Sequence, residues 1–151
     1  MTEANELEAR IRALEDTEAI RRLKCRYWNS LDRKLVDEVV DCFYEKASVD
    51  YGPKRRFEGL EGARQLYGQL ETLEGFTTTH EGHDPEIDLL NDTEARARWA
   101  FHDRIADSQA KTTYRGWGFY EDEYVKEGGR WRIRDSRITR THRDISTGQD
   151  D

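Results

Sequence analysis

The chain has 151 residues, the length of one ordinary domain, and a chain of that size hides roughly two thirds of the surface it exposes when unfolded. Its 25 basic and 32 acidic side chains leave a formal charge of −7, which argues against nucleic acid or an anionic membrane surface as a partner. Only 35% of residues are hydrophobic and 38% are charged, a balance leaning towards disorder, but the 11% that are aromatic fall inside periodic segments, so a lean aromatic core is expected.

The opening MTEANELEARIRALED is charged from its third residue and has no apolar run, so neither a signal peptide nor a membrane span is expected, and the reading is a soluble cytoplasmic protein. From Glu6 to about Asp32 the pattern is helical, with Leu7, Ile11 and Leu14, then Ile20, Leu23, Tyr27 and Leu31, at three- and four-residue steps. Asp16 and Thr17 can both cap, which predicts a second helix beginning there. KLVDEVVDCF, residues 34–43, reads as a short third helix. ASVDYG is a first strand, Gly52 and Pro53 mark a turn, RRFEG is its partner, and GLEGARQLYGQLETL, from Gly59, is a fourth helix carrying Leu66 and Leu70 on one face.

After Phe76 the period changes to two. TTTHEG, PEIDLLN, TEARARWAFHDRIAD and TTYRGWGFYEDEYVKE are strand candidates, with Asn91-Asp92 as a hairpin signal; RWRIRDSRITRTH follows the Gly128-Gly129 turn. Helices first and long strands afterwards predict an α+β domain over residues 1–143: a curved mixed or antiparallel sheet wrapped around N-terminal helices, with a cavity between them. Residues 144–151 read as a polar disordered tail. Cys25 and Cys42 have no metal spacing and are too few to staple a secreted scaffold.

Alternation along TEARARWAFHD puts Asp103 on the face of Ala95, Ala97, Trp99 and Phe101. An unpaired carboxylate there costs several kcal/mol, so Asp103 either sits at the rim of the core, has a cationic or hydrogen-bonding partner, or stays protonated. Tyr27, in register with Ile20 and Leu23, points inward and needs a partner for its hydroxyl; alone it is an ordinary core tyrosine. Asp32 ends the same helix. It either caps the helix that follows, the favoured reading on these residues alone, or orients a histidine from the sheet. His80 shares a strand face with Phe76 and Thr78, whereas His83 has the opposite parity and His102 is opposite in parity to Trp99 and Phe101. A lone inward histidine is more often structural than catalytic, but His80 comes with an inward tyrosine and two aspartates. Arg140 has the opposite parity to Trp131 and Ile133, and points inward only if a bulge intervenes. Trp28, Tyr51, Phe57, Trp99, Phe101, Trp117 and Phe119 are expected to divide between core and a cavity wall suited to a rigid apolar ligand.

With EAIRRLKCRYWNSLDRKL, HEGHDPEI, RWAFHD and GFYEDEYVKEGGRWRI laid out, the chain from about Leu7 to His142 resembles the SnoaL-like branch of the NTF2-like superfamily, and within it the bacterial bile-acid 7α-dehydratases. Scytalone dehydratase and lindane dehydrochlorinase look like more distant relatives. The resemblance puts catalytic roles on Tyr27, Asp32, His80, Asp103 and Arg140. It implies a cofactor-independent dehydratase acting on a hydroxylated steroid or bile-acid-like polycyclic enone, free or as a coenzyme A thioester, with His80 as base and His80 or Asp103 protonating the departing hydroxyl. It also implies a homo-oligomer, with a trimer favoured. A ketosteroid-type isomerase of the same fold and a non-catalytic small-molecule binding module are the alternatives.

Overall fold

Helix α1 (Glu3–Asp32) is one 30-residue rod where the caps predict two helices. Neither predicted cap is free. Thr17 Oγ1 donates back to the Ala13 carbonyl at 2.8 Å, and the Asp16 carboxylate accepts from Lys126 Nζ at 2.9 Å and Trp131 Nε1 at 2.8 Å. The first turns run out from the body, leaving Leu7, Ile11 and Leu14 exposed, while Ile20, Leu23, Tyr27, Trp28 and Leu31 are buried.

Beyond α1 the computed structural model, which describes residues 2–148, follows the expected α+β order. Helix α2 (Val36–Asp41) is shorter than predicted, and strand β1 (Phe43–Asp50) begins four residues before the predicted Ala47. Strand β2 (Arg56–Glu58) pairs antiparallel with β1, and helix α3 (Gly59–Gly68) tightens into a 3₁₀ turn over Gln69–Thr72. Four long strands follow: β3 (Phe76–Leu89), β4 (Glu94–Asp107), β5 (Thr112–Glu127) and β6 (Arg130–Thr147). The six strands lie in the order β2-β1-β6-β5-β4-β3, antiparallel except for the parallel β1–β6 pair, which makes the sheet mixed.

TTTHEG and PEIDLLN form one strand, β3, instead of two. The ladder to β4 shifts between His83 and Glu86, where Asp84 has φ 48° and Pro85 has no N–H to donate, so the irregularity is absorbed without ending the strand. Strand β6 also runs further than expected. Asp144, Ile145, Ser146 and Thr147 pair with Arg115, Tyr114, Thr113 and Thr112, so half of the predicted tail is strand; residues 149–151 lie outside the described residues.

The core lies between the concave face of the sheet and the second half of α1. Burial of Phe43, Phe101 and Ile133, each no more than 1% exposed, contributes roughly 1.5–3 kcal/mol per side chain. Trp28 crosses Trp99 edge to face at 5.5 Å and lies on Gly82 of β3, where an added Cβ would come 1.9 Å from the ring. That contact fixes how α1 crosses the sheet. Among the described residues, no helix is long and apolar enough to cross a membrane.

Candidate active site

One turn beyond Trp28, on the same face of α1, stands Asp32. Because Trp28 is seated on Gly82, Asp32 arrives at the Thr78–His80 segment of β3. Its carboxylate accepts from Thr78 Oγ1 at 2.9 Å and the His80 backbone N–H at 2.8 Å, and its Oδ1 lies 2.6 Å from His80 Nδ1. The residue before helix α2 is Leu35 and no side chain caps the helix, so the capping role does not apply to Asp32. An acceptor-only carboxylate assigns the proton of this contact to Nδ1, which leaves Nε2 as the basic nitrogen of His80. The His80 side chain is 7% exposed, shielded yet still lining a cavity.

Directly across the β3–β4 ladder from His80 is Asp103, 1% exposed. It is not a rim residue. Arg140 Nη1 donates to Oδ1 at 2.8 Å and Nη2 to Oδ2 at 2.7 Å, a bidentate pair that offsets the cost of burying the charge. Burial works against the Arg140 charge, but the bonds to Asp103 outweigh it and raise the guanidinium pKa further. The pair spans β5 over Gly116, where a Cβ would lie 2.1 Å from Arg140 Nη1 and 2.6 Å from Asp103 Oδ1.

Arg140 reaches this place through the bulge its parity demanded. Tyr124 pairs with Ile133 and Glu123 with Asp135, so Arg134 is the extra residue. Its guanidinium is pinned by Glu94, Glu123 and Asp135 at 3.0, 2.6 and 2.9 Å. Before the bulge Trp131 and Ile133 face the core; after it Ser136, Ile138 and Arg140 do.

Tyr27 completes the group. It is 1% exposed, and its hydroxyl lies 3.0 Å from that of Tyr67 on α3. Burial, helped by the neighbouring hydroxyls of Tyr51, Tyr67 and Tyr120, pushes the Tyr27 pKa far up, so it remains a neutral donor. Tyr27, His80, Asp103 and Arg140 all line one cavity of about 220 Å³, walled further by Leu31, Leu66, Leu70, Ile105 and Ile138. Such a site can take a proton at His80 Nε2 and donate a hydrogen bond from the tyrosine pair. Among the described residues, no three His, Cys, Asp or Glu side chains gather as metal ligands.

Residues 12–137 match the family model of a SnoaL-like domain. The chain belongs to the SnoaL-like family. Solved structures share the SnoaL-like fold seen here. A protein from Novosphingobium aromaticivorans assigned as a scytalone dehydratase superposes with a TM-score of 0.82 at 23% identity, covering 91% of this chain and 92% of its own. The hexachlorocyclohexane dehydrochlorinase LinA-type3 from Novosphingobium barchaimii gives 0.81 at 14% identity, with 92% and 95% covered. A second Novosphingobium aromaticivorans protein, assigned as an aromatic ring hydroxylase, gives 0.78 at 19%, with 88% and 93% covered. At these identities the likeness carries the fold.

The aromatic stripe divides differently in this SnoaL-like chain from the sequence expectation. Of the seven rings, Tyr51 lines the cavity, while Trp28, Phe57, Trp99 and Phe101 are packed in the core. Trp117 and Phe119 are on the outer face of the sheet, because the inward parity of β5 belongs to Tyr120, Asp122 and Tyr124. There Trp117 stacks on His102 at 4.7 Å, which leaves His102 half-buried, while His83 is exposed and bonded to Asp84. Tyr67 was missed, although Ala63, Leu66, Tyr67 and Leu70 mark its face of α3 by their spacing. Lys24 and Asp122 were missed as well: each is fully buried, and they meet at 2.7 Å.

Proposed function

We propose that this SnoaL-like protein is a cofactor-independent dehydratase that eliminates water from a hydroxylated polycyclic enone. The observation carrying the proposal is the 2.6 Å contact between Asp32 and His80 at the wall of a cavity that is also lined by a buried neutral tyrosine pair and by Leu31, Leu66, Leu70, Ile105 and Ile138. His80 Nε2 removes a carbon-bound proton made acidic by the conjugated carbonyl, and Asp32 stabilises the imidazolium. Tyr27 donates to the carbonyl oxygen as enolate charge develops, a contribution that grows when water is kept out. The electron pair released forms the new double bond as the carbon–oxygen bond breaks. The departing hydroxyl takes the proton held on Nε2, so water leaves and His80 returns to its starting state. Both oxygens of Asp103 accept from Arg140, which suits it to holding the arginine and not to supplying a proton.

A dehydratase and a dehydrochlorinase of the same fold both break a bond to a leaving group beside a removed proton, and the elimination reading gains support from them by analogy. The enclosed volume of about 220 Å³ falls below the roughly 300 Å³ at the small end of ligand sites. It suits the reacting ring of a steroid or bile-acid-like substrate whose remainder extends past the mouth, where Lys54 and Arg55 stand, or a whole bicyclic enone.

The test is mass spectrometry after incubation with hydroxylated 3-keto steroids, their acids and thioesters, and smaller bicyclic hydroxy-enones. Loss of 18 mass units is expected with wild type, and a ~10²-fold lower rate with His80→Ala. Full turnover by a folded His80→Ala variant overturns the assignment. A product of unchanged mass with a moved double bond converts the reading to isomerase; tight binding without turnover converts it to a binding module.

A further inference from the structure

Behind the cavity wall lies a buried polar chain with no role in the elimination as described. The Asp122 carboxylate takes Lys24 Nζ at 2.7 Å, Tyr124 Oη at 2.7 Å and Ser136 Oγ at 2.5 Å. The Tyr124 hydroxyl, having given its proton to Asp122, accepts from Trp99 Nε1 at 3.0 Å. The Lys24 ammonium also lies over the Tyr120 ring, 3.7 Å from its centroid, so the cation is held by a carboxylate and an aromatic face together. Among the described residues, the hydrogen bonds of this chain reach the cavity through Tyr51, whose hydroxyl is 2.8 Å from Ser136 Oγ.

The direction of each bond follows from counting protons. Asp122 beside Lys24 only accepts, and a serine hydroxyl has one proton, which goes to Asp122. Ser136 Oγ can therefore meet Tyr51 only as an acceptor, so the Tyr51 proton is committed to the core. What Tyr51 offers the cavity is a lone pair. The neighbouring pair is the reverse: between Tyr27 and Tyr67 one proton bridges the two oxygens and one is left to donate.

Resting on the reading of this cavity as the site for a hydroxylated enone, we infer that Tyr51 determines specificity by accepting a hydrogen bond from a substrate hydroxyl, and that Ser136, Asp122 and Lys24 are positioning residues that hold it in that role. The cavity thus tells an alcohol from a ketone at the carbon beside Tyr51, while the neighbouring Tyr27–Tyr67 pair receives the carbonyl. A substrate carrying both groups satisfies Tyr51 and the pair at once.

The experiment is equilibrium binding, read by tryptophan fluorescence, of ligand pairs identical except for alcohol or ketone at one carbon, drawn from 3-keto steroids and bicyclic enones. Wild type should prefer the alcohol by about tenfold, the value of one hydrogen bond in a shielded site. Tyr51→Phe should abolish the preference. Ser136→Ala releases the Tyr51 proton and should turn the preference towards the ketone, and Ser136→Thr, which restores the hydroxyl, should restore the alcohol. A merely structural role for Ser136 would weaken both ligands equally. Equal binding of alcohol and ketone by wild type, or an unchanged ratio in a folded Ser136→Ala variant, overturns the inference alone. Failure of every ligand to bind wild type overturns the reading of the cavity, and the inference with it.

Discussion

Replacing Arg140 with methionine strips the buried Asp103 carboxylate of its partner. Asp103 is 1% exposed and both its oxygens are bonded to this guanidinium. Breaking a buried pair by removing one member costs about 3–5 kcal/mol, since the remaining charge has neither water nor counter-ion. For a domain of this size each kcal/mol corresponds to about 2–4 °C in Tm, so Arg140→Met should melt about 6–20 °C below wild type when followed by circular dichroism. The double variant Asp103→Leu/Arg140→Met removes both charges and should recover most of that loss, because the pair as a whole is worth far less than its broken half. An Arg140→Met protein melting within about 2 °C of wild type would refute the claim that the pair neutralises a dry carboxylate.

At Gly82, a Cβ would meet three atoms of the Trp28 ring, the nearest at 1.9 Å, and a rigid indole in a packed core cannot yield. Gly82→Ala should cost about 1–3 kcal/mol in denaturant titration and, by shifting α1 against β3, lower turnover through the Asp32–His80 contact; full activity and stability would refute that seating. The two thiols should also differ. Cys25 is exposed, whereas burial pushes the Cys42 thiol up to about 11, so a disulfide-exchange reagent at pH 8 should titrate one thiol in the native protein and two in denaturant.

The helical stripe of α1 and the alternation of β4 were legible because each repeats over many residues and packs against one continuous surface. The same alternation, anchored at Phe76 and Trp99, put His80 and Asp103 on the inner face, where they meet across the ladder. Asp32 could not be decided from the chain alone: its neighbours in sequence favour a cap, and its true partners lie 46 and 48 residues away. Asp16 and Thr17 misled for a related reason, since a capping residue stops a helix only if its side chain is free and tertiary partners claim the Asp16 carboxylate. Lys24 lies in the stripe between Ile20 and Tyr27, and Asp122 lies between Tyr120 and Tyr124. Both are readable as inward by period, but a charged side chain ordinarily means solvent, and only the fold supplies the opposite charge that overrides it.

The extra residue in β6 makes this site sensitive to a kind of change that substitution tables do not capture. What sets the faces is where the extra residue is placed, and the three carboxylates that pin Arg134 hold it there. Were the same residues to pair without the bulge, everything downstream would exchange faces, sending Ser136, Ile138 and Arg140 to solvent and Arg137 and Thr139 into the cavity. The arginine that neutralises Asp103 is thus aimed by a bulge six residues away. A relative lacking residue 134 altogether would keep the same faces on a regular strand, since Ile133 and Asp135 would then stand side by side opposite Tyr124 and Glu123.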